Sequence, residues 1–132
     1  MSVQRMSIAI ILGSNQLDKV EFASMTAFLA SSMGDEVSVF ATMDGVQAFT
    51  KEPSILSDAD SAKKIVQTEN GGKFLDYFRK AKGTGKVKIT ACSMASKLFG
   101  LKKEDFAEIV DGVGGLTAFL DSSEGSRLMS IW

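Results

Sequence analysis

The sequence of 132 residues contains no histidine and only one cysteine. Without histidine the chain lacks the usual imidazole metal ligand, the usual general base and any Ser-His-Asp triad. A single cysteine excludes a disulfide within the chain. It also disfavours zinc and haem sites, because only carboxylates, one thiolate and methionines remain as ligands. We therefore expect neither a metal nor a cofactor.

The chain also lacks a strong net charge of either sign. The 15 basic and 16 acidic residues give a formal net charge of -1 at pH 7, so no strong field is available to attract nucleic acid or an anionic membrane. The apolar run from Ile8 to Leu12 is too short to span a bilayer, and the first residues lack the features of a signal peptide. We expect a cytoplasmic protein that binds neither nucleic acid nor membrane.

The chain does have the composition of one folded domain. Hydrophobic residues make up 45% and charged residues 23% of it, which is typical of soluble globular proteins and not of disordered ones. A chain of this length buries an ordinary core without disulfides or metals. The prediction is a single domain over residues 1–132.

Apolar, β-branched runs alternate with stretches of helical period. The run 7–12 has the profile of a strand buried on both faces, and the apolar residues after it recur at helical spacing up to Gly34. The same alternation continues along the chain. We predict strands at 7–12, 36–41, 86–91 and 127–132, with a further short apolar run at 109–110. Helices are predicted at 16–33, 46–49, 74–81, 93–99 and 116–120.

This alternation predicts right-handed βαβ units and an α/β fold of three layers. We expect a mostly parallel five-stranded sheet with helices on both faces. Residues 50–72 show no sustained period and predict a long loop between core elements. The glycine-rich run 111–115 predicts a turn.

The only cysteine, Cys92, directly follows one predicted strand and precedes a short amphipathic helix that stops at Gly100. In open parallel sheets, reactive groups gather outside the carboxyl ends of the strands. The first N–H groups of a helix favour an anion by about 0.3–1 kcal/mol, which suits a thiolate or a persulfide. We predict a surface thiol that carries sulfur. The alternative is that a lone cysteine is a small buried hydrophobe.

Five further residues are expected near the same sheet edge. The run Gly13-Ser14-Asn15 offers a phosphate cradle, but it contains neither the GxGxxG nor the GxxxxGK[ST] fingerprint. A plain helix N-cap is the better explanation of Asn15, and ordinary turn chemistry is sufficient for Asp44 and Gly45. A helix-packing position is the better explanation of Met94. The candidate pocket-lining residues are Asn15, Asp44, Gly45, Ser93 and Met94.

Residues 89–94 (Ile-Thr-Ala-Cys-Ser-Met) and 112–120 (Gly-Val-Gly-Gly-Leu-Thr-Ala-Phe-Leu) resemble the DsrE/DsrF-like family of sulfur-relay proteins, some of which are labelled peroxiredoxin-like. The runs 8–12 and 39–46 resemble it too, whereas 50–72 diverges. The resemblance implies a flavodoxin-like or Rossmann-like sheet, homotrimers or homohexamers, and a cysteine that carries persulfide or thiosulfonate sulfur between partner proteins. That role falls on Cys92. Because no second cysteine is present, a two-cysteine relay within one chain is excluded.

The leading interpretation is a sulfur carrier more than an enzyme, and whether it turns over as a sulfurtransferase stays open. Cys92 would receive sulfane sulfur from a donor protein or low-molecular-weight thiol and pass it to an acceptor thiol. Two alternatives remain. One is a small-ligand, nucleotide or flavin-type binding module without thiol chemistry. The other is an assembly protein in which the cysteine is an inert part of the core.

Overall fold

The computed structural model describes residues 6–69 and 72–132. Its five described strands form one sheet in the order β4-β3-β2-β1-β5, and every pairing is parallel. This confirms the predicted α/β fold and makes the sheet wholly, not mostly, parallel. The strands are β1 (Ser7–Leu12), β2 (Glu36–Ala41), β3 (Val87–Cys92), β4 (Gly112–Gly114) and β5 (Arg127–Ile131).

Local sequence explains where the elements begin and end. In β1 both faces are largely buried, which accounts for the continuous apolar run. The first helix ends before Gly34, whose φ of 99° is the left-handed conformation that glycine adopts at low cost. No helix of the described chain is long and apolar enough to cross a membrane. The helices are α1 (Leu17–Ser32), α2 (Asp60–Glu69), α3 (Phe74–Gly83), α4 (Ser93–Leu98) and α5 (Leu116–Ser122), with 3-10 turns at Met43–Phe49 and Lys103–Asp105.

Two sequence predictions are wrong. The predicted loop 50–72 contains α2, whose three apolar residues Ala62, Ile65 and Val66 share one helical face but are too few to establish a period. The predicted turn 111–115 contains β4, a strand of three residues at the edge of the sheet. Two of its three residues are glycines, so no side-chain alternation marks it as a strand.

The two faces of the sheet are covered unequally. The chain moves in one direction from β1 to β4, so right-handed crossovers place α1, α3 and α4 on one face. The return from β4 to β5 places α5 on the other face.

On the first face α1 packs against α3, and the rings of Phe49 and Phe78 lie 5.1 Å apart. On the second face α5 has only seven residues, with Phe119 stacked on Phe40 at 4.8 Å. Part of the second face therefore stays open toward the carboxyl ends of the strands.

Candidate functional site

Cys92 is the last residue of β3 and the residue that precedes α4. Its backbone carbonyl accepts a hydrogen bond from the Ser96 hydroxyl at 2.6 Å, which closes the first turn of that six-residue helix. The residue is only 3% exposed. The prediction of a surface thiol is therefore wrong, because the alternation of β3 turns this side chain toward the face that α5 partly covers.

The thiol lines an apolar cavity of about 260 Å³ at the carboxyl edge of the sheet. Two of the wall residues, Thr42 and Ser93, carry hydroxyl groups, and no charged side chain of the described residues contributes to the wall. The rim is half exposed: Met94, Leu116 and Trp132 retain 50%, 48% and 59% of their accessible surface. Part of the enclosure of the thiol is therefore formed by half-exposed residues. The wall consists of Ile11, Phe40, Thr42, Met43, Cys92, Ser93, Met94, Leu116 and Trp132.

One transverse row of residues crosses the sheet at the level of the thiol. Three strands each contribute the residue that follows their last paired position: β5 contributes Trp132, β1 Gly13 and β2 Thr42. The fourth member of the row is Cys92, the last residue of β3. The pairing continues into this row. The Gly13 N–H donates to the last carbonyl of β5 at 2.8 Å, and the Thr42 N–H donates to the last carbonyl of β1 at 2.9 Å. Since neighbouring strands lie about 4.8 Å apart, the side chains of Thr42 and Cys92 are neighbours.

Thr42 is a buried polar residue at this edge, 7% exposed. It precedes the 3-10 turn Met43–Phe49, but its side chain does not cap that turn, and its hydroxyl has no hydrogen-bond partner in the described parts of the chain. The next residue, Met43, has φ of 48°, a conformation that is uncommon for a bulky side chain. Sequence reasoning missed Thr42, because its position beside the thiol depends on the register between β2 and β3.

Trp132 forms the far wall of the cavity because Gly13 carries no side chain. A Cβ at Gly13 would lie 2.2 Å from two carbons of the indole ring. The glycine therefore lets the ring lie across the end of β1. In the sequence, Gly13 stands out only as part of the run Gly13-Ser14-Asn15, which offers a phosphate cradle.

Of the five candidate pocket residues, the structure brings two to the thiol. Ser93 and Met94 line the cavity with Cys92. Asp44 is exposed and is absent from the cavity wall. Gly45 packs on β1, where an added Cβ would lie 2.3 Å from the carbonyl oxygen of Leu12. Close backbone packing, not ligand contact, therefore accounts for the glycine.

Asn15 also lies away from the cavity wall. It is 4% exposed, and its side-chain amide donates to the Ser54 carbonyl at 3.0 Å. Its own backbone carbonyl accepts from the Leu56 N–H at 3.0 Å, and the Leu17 N–H donates to the Leu56 carbonyl at 2.8 Å. Asn15 thus holds the segment before α2 against the start of α1. That structural task explains a polar residue after β1 without a phosphate.

A second, more open groove of about 700 Å³ lies between α1, α2 and β5. It shares Trp132 with the thiol cavity, so the indole separates the two spaces. Along α1 an apolar stripe leads away from this groove. It comprises Phe22, Met25 and Leu29 on the helix and Met33 directly after it, which are 55%, 39%, 56% and 59% exposed.

Comparison with known proteins gives one family and a set of shared folds. The sequence profile of the DsrE/DsrF-like family matches residues 6–128. The structure is similar to MTH1491, a protein of unknown function from Methanobacterium thermoautotrophicum, at a TM-score of 0.63 and 14% identity, covering 95% of this chain and 98% of that one. It is also similar to the ychN protein from E. coli, at a TM-score of 0.61 and 10% identity, covering 96% and 99%. No curated protein matches the sequence significantly.

A third similar structure is BT1422, a conserved protein of unknown function from Bacteroides thetaiotaomicron. Its TM-score is 0.52 at 15% identity, and the match covers 95% of this chain and 94% of that one. Identities this low establish a common fold. They assign no activity to the thiol cavity.

Proposed function

The chain belongs to the DsrE/DsrF-like family, and we propose that it is a sulfur carrier that holds sulfane sulfur on Cys92. The family is associated with sulfur relay. The observation that carries the proposal for this chain is the position of its only cysteine, which lines a cavity at the carboxyl edge of a parallel sheet. In open parallel sheets this edge is where ligands bind.

The cavity has the size that a sulfur adduct needs. At about 30 Å³ for each water in the liquid, its 260 Å³ equals roughly eight or nine water volumes. One or two sulfur atoms on the Cys92 thiol therefore fit without displacement of the core. The apolar wall surrounds the adduct with hydrophobic side chains, and the half-exposed rim residues leave a way in for a reaction partner.

The transfer follows thiol–disulfide exchange. The Cys92 thiolate attacks a sulfur of the donor, a bond forms between the two sulfurs, and the donor's S–S bond breaks with its electron pair on the leaving sulfur. The product is a persulfide or a thiosulfonate on Cys92. An acceptor thiolate then attacks the adduct, and Cys92 leaves as the thiolate. The donor is a persulfide or polysulfide of a partner protein or small molecule. The acceptor is a thiol of a partner protein or a low-molecular-weight thiol, because the chain has no second cysteine.

We also propose that the chain assembles into a homotrimer or homohexamer. The supporting feature is the apolar stripe on α1 (Phe22, Met25, Leu29 and Met33), which is exposed in the single chain. Leu128 on the edge strand β5 is 60% exposed as well. Contiguous exposed apolar surface of this kind is typical of subunit interfaces. The occupant we infer is a second copy of the chain.

The carrier proposal is tested by intact mass spectrometry after incubation with inorganic polysulfide or tetrathionate. We expect a reducible gain of about 32 Da for each sulfur atom, or about 112 Da for a thiosulfonate. Cys92→Ser is the matched control, and it should gain nothing. If the wild-type protein forms no adduct with either donor, Cys92 is an inert core residue and the proposal is wrong.

A further inference from the structure

We propose that the Cys92 cavity is built for divalent sulfane sulfur, not for an oxidised sulfonate, and that the Thr42 hydroxyl holds the terminal sulfur of the adduct. This inference rests on the proposed carrier function and narrows it. Two independent observations carry it: the partner-free hydroxyl of a buried threonine, and a wall without charge.

The Thr42 hydroxyl is the first observation. A buried hydroxyl ordinarily has a hydrogen-bond partner, because losing water without one is unfavourable. Thr42 is more than nine-tenths buried and has none among the described residues. Within the described chain, the one fully enclosed side-chain oxygen without a partner is Oδ1 of Asp18. The Thr42 oxygen therefore still reaches open space, and the space beside Thr42 is the cavity.

The spacing between the two strands fits a single added sulfur. Thr42 and Cys92 occupy adjacent positions on neighbouring parallel strands, about 4.8 Å apart. A sulfur bonded to Cys92 Sγ extends it by about 2.05 Å. We infer that this extension brings the outer sulfur within hydrogen-bond reach of the Thr42 hydroxyl, which lines the same cavity. A hydroxyl donates to an ionised sulfur and accepts from a protonated one.

The wall chemistry is the second observation. A sulfonate brings a full charge and three oxygens, and burial of such a group requires cationic or multiple donor groups. The described wall offers two hydroxyls, Thr42 and Ser93, and no lysine or arginine. Sulfane sulfur is instead soft and polarisable. Thioether sulfurs and aromatic rings are good contacts for it, and Met43, Met94 and Trp132 supply them.

The loading step balances with a hydropolysulfide as donor and oxidant. The Cys92 thiolate attacks the terminal S–H sulfur, and the bond between that sulfur and the rest of the chain breaks. The leaving polysulfide, one sulfur shorter, takes the electron pair. The proton travels with the transferred sulfur, and the product is Cys92–S–SH. The thiolate sulfur is oxidised and the leaving sulfur is reduced, so no other reagent is required.

The first test compares donors on the wild-type chain. We measure the rates at which Cys92 and glutathione react with hydropolysulfide and with tetrathionate, by intact mass. The protein's preference for hydropolysulfide should exceed that of glutathione by about tenfold, since a sulfonate adds three charged oxygens that the wall does not satisfy. An equal preference overturns the assignment of the cavity to sulfane sulfur. Absence of any adduct instead contradicts the carrier proposal itself, so the two failures are distinguishable.

The second test removes the hydroxyl with Thr42→Val, which keeps the shape of the side chain. Persulfide on Cys92 is chased with glutathione, and its half-life should fall about fivefold, which corresponds to the loss of one hydrogen bond. Thr42→Ser keeps the hydroxyl and should match the wild type within about twofold. If Thr42→Val does not fold, Thr42→Ala replaces it. An unchanged half-life in a folded variant overturns the role of Thr42.

Discussion

The indole of Trp132 lies on the backbone of Gly13, so closely that one added carbon on the glycine would sit 2.2 Å from the ring. Because Trp132 also lines the thiol cavity, this contact sets the position of one cavity wall. The position of this wall thus depends on the missing side chain of Gly13, the residue that follows β1.

Gly13→Ala should therefore open the cavity. The added methyl displaces the indole, and overpacking of this kind destabilises a protein by about 1–3 kcal/mol. We expect Cys92 to react several times faster with a bulky thiol reagent such as DTNB. The measurement is the second-order labelling rate, followed by absorbance under native conditions.

The matched control is Gly115→Ala, since a Cβ at Gly115 would meet nothing within 4 Å. Its labelling rate should equal that of the wild type. Equal rates in Gly13→Ala and Gly115→Ala would show that Trp132 does not control access to the thiol.

The apolar stripe on α1 predicts how the chain assembles. Phe22→Glu combined with Leu29→Glu places two charges where two large side chains are 55% and 56% exposed. Each such side chain contributes about 1.5–3 kcal/mol when it is fully buried, so the double variant should be a monomer. Sedimentation velocity or light scattering should give a trimer or hexamer for the wild type.

A control substitution on the exposed side of α2, Gln67→Glu, adds charge outside the stripe. It should leave the assembly unchanged. A wild-type monomer at micromolar concentration, or a double variant with the wild-type mass, contradicts the proposed interface.

We expect the side chain of Asp111 to stabilise the short edge strand β4. Its carboxylate accepts from the Ile89 N–H at 2.7 Å and pairs with the Lys82 ammonium at 2.5 Å. The pair is partly exposed, which reduces its contribution. Asp111→Ala should still lower the free energy of unfolding by about 1–2 kcal/mol, because the Ile89 N–H loses its partner.

Urea denaturation provides the measurement. Asp121→Ala is the comparison variant, because it removes an exposed carboxylate at the unfavourable, carboxyl end of α5. This second variant should be at least as stable as the wild type. If both variants unfold at the same urea concentration, Asp111 does not anchor β4.

The ion pair between Arg79 and Glu108 makes a pH prediction. The Arg79 Nε–H donates to the Glu108 carboxylate at 2.8 Å, which lowers the pKa of Glu108 and raises the pKa of Arg79. With a lowered folded pKa, any stabilisation is present above the usual glutamate value of about 4.3 and is lost as the pH falls through the lowered pKa.

An NMR titration of the Glu108 carboxyl carbon should give a midpoint below that usual value. The midpoint should rise in Arg79→Met, and also in about 1 M salt, where the Debye length is about 3 Å. Because both side chains are exposed, Glu108→Gln should leave the urea midpoint at pH 7 unchanged within error. A normal midpoint in the wild type contradicts the pairing.

The sequence was sufficient to predict those helices and strands whose apolar residues recur at the spacing typical of the element. The runs at β1 and β2 and the apolar spacing of α1 correspond to the observed bounds Ser7–Leu12, Glu36–Ala41 and Leu17–Ser32. In these segments the buried positions follow one another at regular spacing, so the residues alone reveal the element. The helix α2 and the glycine-containing β4 have too few apolar side chains to show such a spacing, and their predictions were wrong.

The full composition of the site could not be predicted, because it depends on contacts between residues that are far apart in the sequence. Sequence placed Cys92 at the end of a strand, but its burial depends on cover from Met94 and Leu116, which local periodicity does not reveal. Thr42 joins the site only through the register of β2 with β3. Trp132 joins it through the register of β5 with β1, two strands far apart in the sequence. Single-sequence patterns do not encode such register.

The walls of the cavity also hold the only tryptophan and the only cysteine of the chain. The protein therefore contains its own optical reporter, with no dye and no background from a second indole. Sulfur that arrives on the thiol enters the cavity that the indole lines. We therefore expect loading and unloading to change the emission intensity, which a stopped-flow fluorimeter follows.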